Sequence, residues 1–154
     1  MRLPCVAALL VAGFAAPAAA HWESTRWGMS EQQVMRAMRG QSIRPLPAEQ
    51  RRTVPSARMQ YRLGGVFRSG NLRVNVAFAF DGRTNGLVCV SLQGEESQGA
   101  ILRARLERAF GAPQERGNDT AEGIQTLGWS RPDEIDLQIA PGRPVTALLC
   151  ARGV

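Results

Sequence analysis

The sequence predicts an α+β fold in which two tandem α-β-β-β repeats form an antiparallel sheet with both helices on one face. Three observations carry this expectation. A helix signal followed by three strand signals occurs twice, in the same order, along the 154 residues. The turn Asp81-Gly82-Arg83 is answered by Pro141-Gly142-Arg143 sixty positions on, and Cys89 by Cys150 sixty-one positions on, so a single-residue indel aligns the two copies. Each helix signal also runs into a glycine stop, at Gly40 and Gly111. The expected boundaries are 24–93 and 95–152, within one domain spanning 21–154.

The first helix is announced by Ser30-Glu31-Gln32-Gln33, a capping box in which the Ser30 hydroxyl accepts from the Gln33 backbone N–H and the Gln33 side chain reaches back. Met29 and Val34 are spaced as a hydrophobic staple, and Val34, Met35 and Met38 mark one face of a helix from Ser30 to Arg39. Residues Gly40 to Ala57 have no clean period. Pro45, Pro47 and Pro55 interrupt them, and Arg51-Arg52 is the one local basic pair. A connection this long in a compact domain is often functional.

Three strand signals follow. Met59, Tyr61 and Leu63 alternate with Gln60 and Arg62. After the turn Ser69-Gly70-Asn71, the series Leu72, Val74, Val76, Phe78 and Phe80 alternates with Arg73, Asn75, Ala77 and Ala79. Asp81-Gly82 turns the chain into a third strand, Leu87 to Leu92. In the second copy, Ile101, Leu102, Leu106, Ala109 and Phe110 share a helix face that ends at Gly111 and Pro113. Residues 114–123 read as a polar loop. Strands are expected at Leu127 and Trp129, at Ile135 to Ile139, and at Val145 to Ala151.

Arg2, the apolar run Leu3 to Ala16 and the small residues Ala18-Ala19-Ala20 read as a secretory signal peptide over residues 1–20, with cleavage near Ala20/His21. The run is too short to span a membrane and no second one follows, so no transmembrane segment is expected. Cys5 lies at the start of the apolar run instead of following it, so no lipid anchor is expected. The mature chain is therefore read as periplasmic or secreted. Export removes it from cytoplasmic ATP and NADH, and no cofactor is expected.

The formal net charge is +6, with every basic residue an arginine. Together with abundant Ala and Gly, this reads as codon bias and a solvated surface; the sharper reading is attraction to an anionic partner. The arginines are dispersed along the chain, and export argues against nucleic acid. Cys89 and Cys150 are the two cysteines left after cleavage. An oxidising compartment makes them candidates for a disulfide, with two buried free thiols on neighbouring strands as the alternative.

Arg26-Trp27-Gly28-Met29-Ser30 followed by Gln33-Val34, Phe80-Asp81-Gly82 followed by Leu87-Val88, and the helix end Phe110-Gly111-Ala112-Pro113 are similar to motifs of small exported bacterial proteins. The arrangement resembles the tandem αβββ architecture of β-lactamase inhibitor proteins. It also resembles the α-β-β-β unit of the small lipoprotein of the outer-membrane β-barrel assembly machine. The resemblance covers residues 24 to 152 and implies a fold; it carries no functional residue over. The chain departs from the lipoprotein in lacking a lipid-acceptor cysteine at its cleavage site.

Chemistry-bearing residues are sparse. His21 is the only histidine, and a redox copper site of the N-terminal-histidine kind needs a second one. As a general base it would sit on a free terminus, a poor place to hold hydrogen-bond reach. Two cysteines with one distant histidine make no metal site. Glu95-Glu96 and Asp133-Glu134-Asp136 read as solvated edges, and Gly64-Gly65 as permitting a bulge or tight bend. Trp27 and Trp129 read as core. Trp22, near the terminus, is a candidate for an exposed interface anchor, and with Arg51, Arg52 and Asp81 it forms the candidate interface set. The alternate face of the second strand, Arg73, Asn75, Ala77 and Ala79, fits either a solvated face or a shallow binding surface.

These observations point to an exported, non-catalytic protein-interaction module of the cell envelope, with another envelope or secreted protein as its partner. The alternative is a proteinaceous inhibitor of a secreted or periplasmic enzyme, plugging an active site with Asp81 or a residue of Gln41 to Ser56. A hydrolase or metal-dependent enzyme is the third reading, and it would declare itself by bound metal or turnover.

Overall fold

The computed structural model describes residues 22–154; the expected signal peptide over residues 1–20 and His21 lie outside the described residues. Helix α1 covers Glu31–Ala37, and Ser30 caps it with both arms of the capping box in place. After it come β1 (Ser42–Pro45), β2 (Thr53–Val54), β3 (Met59–Ser69), β4 (Leu72–Asp81) and β5 (Leu87–Gly94). Helix α2 (Gly99–Phe110) leads into β6 (Glu115–Asp119), β7 (Ile124–Trp129), β8 (Glu134–Ile139) and β9 (Val145–Cys150).

The strands form one antiparallel sheet in the order β1-β3-β4-β5-β9-β8-β7-β6, with β2 also pairing to β3. The last strand before α2 and the last strand of the chain are therefore neighbours. Their register runs from Cys89↔Cys150 to Gly94↔Val145. This β5–β9 seam joins the two parts of the sheet.

Alternation along the strands separates two faces. On one, Leu137, Ala147, Leu92 and Val76 are successive direct partners across four strands. They belong to a single apolar cluster that also takes Val34 and Met38 from the α1 region and Leu102 and Leu106 from α2. Each such fully buried Leu or Val contributes about 1.5–3 kcal/mol. α2 stops at Gly111, whose φ of +81° suits glycine, and the Gly111 carbonyl accepts from the buried Trp129 Nε1 at 2.8 Å.

Two expected loops contain strands. Within Gly40 to Ala57, β1 and β2 both add to β3, and residues 114–123 contain β6. These strands hold four, two and five residues. All of β6 is exposed, so no apolar alternation betrays it. The irregularity in β3 falls between Tyr61 and Leu63, ahead of the expected Gly64-Gly65. Those glycines instead allow close approach. A Cβ on Gly65 would fall on the Ser42 carbonyl of β1, and one on Gly64 would meet the Leu46 side chain at 2.9 Å.

Candidate functional site

The face of the sheet opposite the main cluster, the reverse face, is built by the other residues of the same strands. One row of direct cross-strand partners crosses it from Arg44 at the β1 edge, through Ser91 and Leu148 at the seam, to Asp136 and Glu115 at the β6 edge. A neighbouring row joins Asn75, Gln93, Thr146, Gln138 and Thr126. Along it Asn75, Gln93, Thr146 and Gln138 are exposed, while Leu148, Ser91 and Ala77 in the first row are half-buried.

The part of this face nearest β3 is covered by the chain itself. Met59, Tyr61, Ala79 and Cys89 form a second apolar cluster, closed by Leu46, Val54 and Ala57. The segment is tied down by backbone bonds from Leu46 N to Arg62 O at 2.8 Å and from Tyr61 N to Arg52 O at 2.9 Å. The long Pro-interrupted connection thus covers the Met59 and Tyr61 end of β3 with the adjoining Ala79 and Cys89, and leaves Arg68, Arg73 and Asn75 exposed. The half made by β7, β8 and β9 has only Leu148 and Cys150 in that cluster, and its Glu134, Asp136, Gln138 and Thr146 are exposed.

The candidate interface residues do not converge. Trp22 is 2% exposed, packed edge-on against Phe67 with ring centroids 5.5 Å apart. It belongs to the main core, because the segment before α1 folds back over β3, and the expected exposed anchor is corrected to a core residue. Arg51 and Arg52 are exposed on the covering segment. Arg51 Nε donates to the Leu46 carbonyl at 3.0 Å, and the Arg52 guanidinium stacks over the Tyr61 ring at 5.0 Å. Asp81 lies at the β4–β5 turn, where its Oδ1 accepts from the backbone N–H groups of Thr84 at 2.7 Å and Arg83 at 2.8 Å. Those two bonds hold its carboxyl below its ordinary pKa. This oxygen is committed to the turn. Cys89 and Cys150 face each other across the seam with sulfurs 2.06 Å apart, at bonding distance.

A depression of about 390 Å³ opens at the far end of β4 and β5, bordered by Arg73, Asn75, Gln93, Glu95, Gln98 and Pro144. It holds amides, one cation and one anion, a lining suited to hydrogen-bonding a polar chain segment. Among the described residues no group of three or more His, Cys, Asp or Glu could hold a metal ion, and no helix is long and apolar enough to cross a membrane.

The net charge is unevenly distributed along the chain. Residues 22–94 carry 11 arginines against 4 acids, whereas residues 95–154 carry 7 against 9. On the reverse face, register places Arg44, Arg68 and Arg73 on β1, β3 and β4, and Glu115, Glu134 and Asp136 on β6 and β8. The alternation of Glu134, Asp136 and Gln138 is the available signal for the acidic side; the strand order that sets it opposite the arginines lies beyond local pattern.

Comparison of the chain with protein-family models, with curated proteins and with solved structures returns no match.

Proposed function

We propose that this chain is an exported, non-catalytic protein-interaction module of the bacterial cell envelope. In this reading it is built from two tandem α-β-β-β copies, each with an added edge strand, and both helices cover one face. The resemblance to β-lactamase inhibitor proteins and to the small assembly lipoprotein accords with that architecture. The binding surface is the reverse face from β4 through β5, β9 and β8 to β7.

The observation that supports this reading is the make-up of that face. Exposed Gln138, Thr146, Gln93 and Asn75 flank the half-buried strip of Leu148, Ser91 and Ala77. A half-buried strip of small and aliphatic side chains beside a row of exposed hydrogen-bonding ones suits a protein-binding patch. The face is carried on paired strands stapled at the seam, so little ordering entropy is lost on binding.

The test is capture from the native envelope. The mature chain with a C-terminal tag, gently crosslinked, is expected to retain one stoichiometric protein partner identified by mass spectrometry. Turnover on a panel of generic hydrolase substrates, or a stoichiometric metal in the purified protein, would overturn the reading.

A further inference from the structure

We propose that the reverse face is also a self-association surface whose occupant is a second copy of this chain. The inference rests on reading this face as an interaction surface, and it comes from the placement of charge. Arg68 and Arg73 are direct partners across β3 and β4. Their backbone N–H groups are taken by side chains, Arg68 N by Gln41 Oε1 and Arg73 N by Gln98 Oε1, both at 2.8 Å. The two residues thus form a non-hydrogen-bonded pair, the closer of the two antiparallel spacings. Two like charges so placed oppose folding. An anionic surface brought up against them removes that opposition.

This chain carries such a surface itself. The ion pairs among the described residues are Arg62–Glu31, Arg103–Glu107, Arg105–Glu23 and Arg143–Glu122. Arg44, Arg68, Arg73, Glu115, Glu134 and Asp136 take part in none of them. The first three lie on one side of the seam and the last three on the other. Arg44 and Glu115 share one cross-strand row, and each lies on the fourth strand out from the seam.

A second copy can meet this face by a two-fold axis lying in the interface plane. With the axis parallel to the strands and over the seam, each arginine half covers the partner's acidic half, and Arg44 approaches Glu115 twice. The covering segment with Arg52, seated over Tyr61, then faces the row that ends at Glu134, because Tyr61, Ala79, Cys89, Cys150 and Glu134 are successive partners. With the axis perpendicular to the strands, arginine would cover arginine, and like charge rejects that arrangement.

Sedimentation equilibrium of the oxidised mature chain tests this. A dimer mass is expected at about 0.1 M salt, shifting toward monomer at about 1 M as the screening length falls from about 10 to about 3 Å. Arg44→Glu with Arg73→Glu, and separately Glu115→Arg with Asp136→Arg, are each expected to weaken self-association at least tenfold. All four positions are exposed, and circular dichroism checks that the variants fold. Mixing the two variants is expected to restore the dimer mass, since one has two acidic halves and the other two basic halves.

A wild-type chain that stays monomeric at about 0.1 M salt overturns the proposal, as does a mixture that fails to recover the dimer. Binding of wild type to phosphatidylglycerol vesicles that is lost in the arginine variant, with no dimer in solution, assigns the arginines to lipid instead. A monomer that still captures an envelope protein removes self-association alone and leaves the module reading standing.

Discussion

Cys89 and Cys150 are direct partners across β5 and β9, the strand pair that joins the two parts of the sheet, with Cα atoms 4.1 Å apart. The bond closes a loop with a sequence separation of 61 and falls at one end of the seam. A crosslink of that span restricts the unfolded chain by about 4 kcal/mol in the chain-entropy description. Cys89→Ser with Cys150→Ser is expected to lower unfolding stability by about that amount in urea titrations, with the strand signature retained. A loss below about 1 kcal/mol would mean that the seam holds without its staple.

Gly65→Ala tests the attachment of β1. The added Cβ meets the Ser42 carbonyl, a backbone atom that a rotamer change cannot move aside. Destabilisation above about 1 kcal/mol is expected, with faster amide hydrogen exchange confined to β1 and the covering segment. Unchanged exchange in β1 would contradict the assigned pairing.

Trp22→Ala is expected to cost about 3 kcal/mol or more, because a large core side chain 2% exposed leaves a void when truncated. An exposed anchor at this position would cost nearly nothing. Thermal unfolding separates the two outcomes and tests whether the residues before α1 belong to the core.

Asp81 gives the molecule a pH-dependent turn. Its carboxyl titrates below its ordinary value of 3.8 because the backbone N–H groups of Thr84 and Arg83 donate to the ionised form. A lowered folded-state pKa means that the stabilisation is complete above the ordinary value and is lost as pH falls through the folded value. Asp81→Asn keeps the shape and removes the charge. The difference in thermal midpoint between wild type and this variant is expected to be constant above about pH 5 and to shrink below about pH 4. A difference that persists into stronger acid would show that the ionised carboxylate does not brace the turn.

How much of the fold is legible in the amino-acid sequence follows from the range of the interactions. The Ser30 box, the Gly111 stop and the alternation from Leu72 to Phe80 are local, and they read correctly. β1, β2 and β6 escape local reading because they are short and are stabilised by distant partners, as in Ser42↔Val66 and Glu115↔Gly128. Trp22 escapes it because its burial depends on Phe67, far along the chain. The covering role of Leu46 is hidden for the same reason: its contact is Gly64, and nothing in the Pro-interrupted stretch has a period. The candidate face is legible only in part. Arg73, Asn75, Ala77 and Ala79 are visible as one side of one strand, but the opposition of arginine and carboxylate across the seam needs β5 beside β9, which no spacing encodes.

The central claim is that the reverse face binds protein. Site-specific photocrosslinking in the producing cell tests it most directly, with the probe at Gln138 on the reverse face or at Ala109, an exposed position on α2. The expected result is a discrete protein adduct from Gln138 and none from Ala109. Adducts from Ala109 alone, or equal unselective labelling from both positions, would contradict the claim.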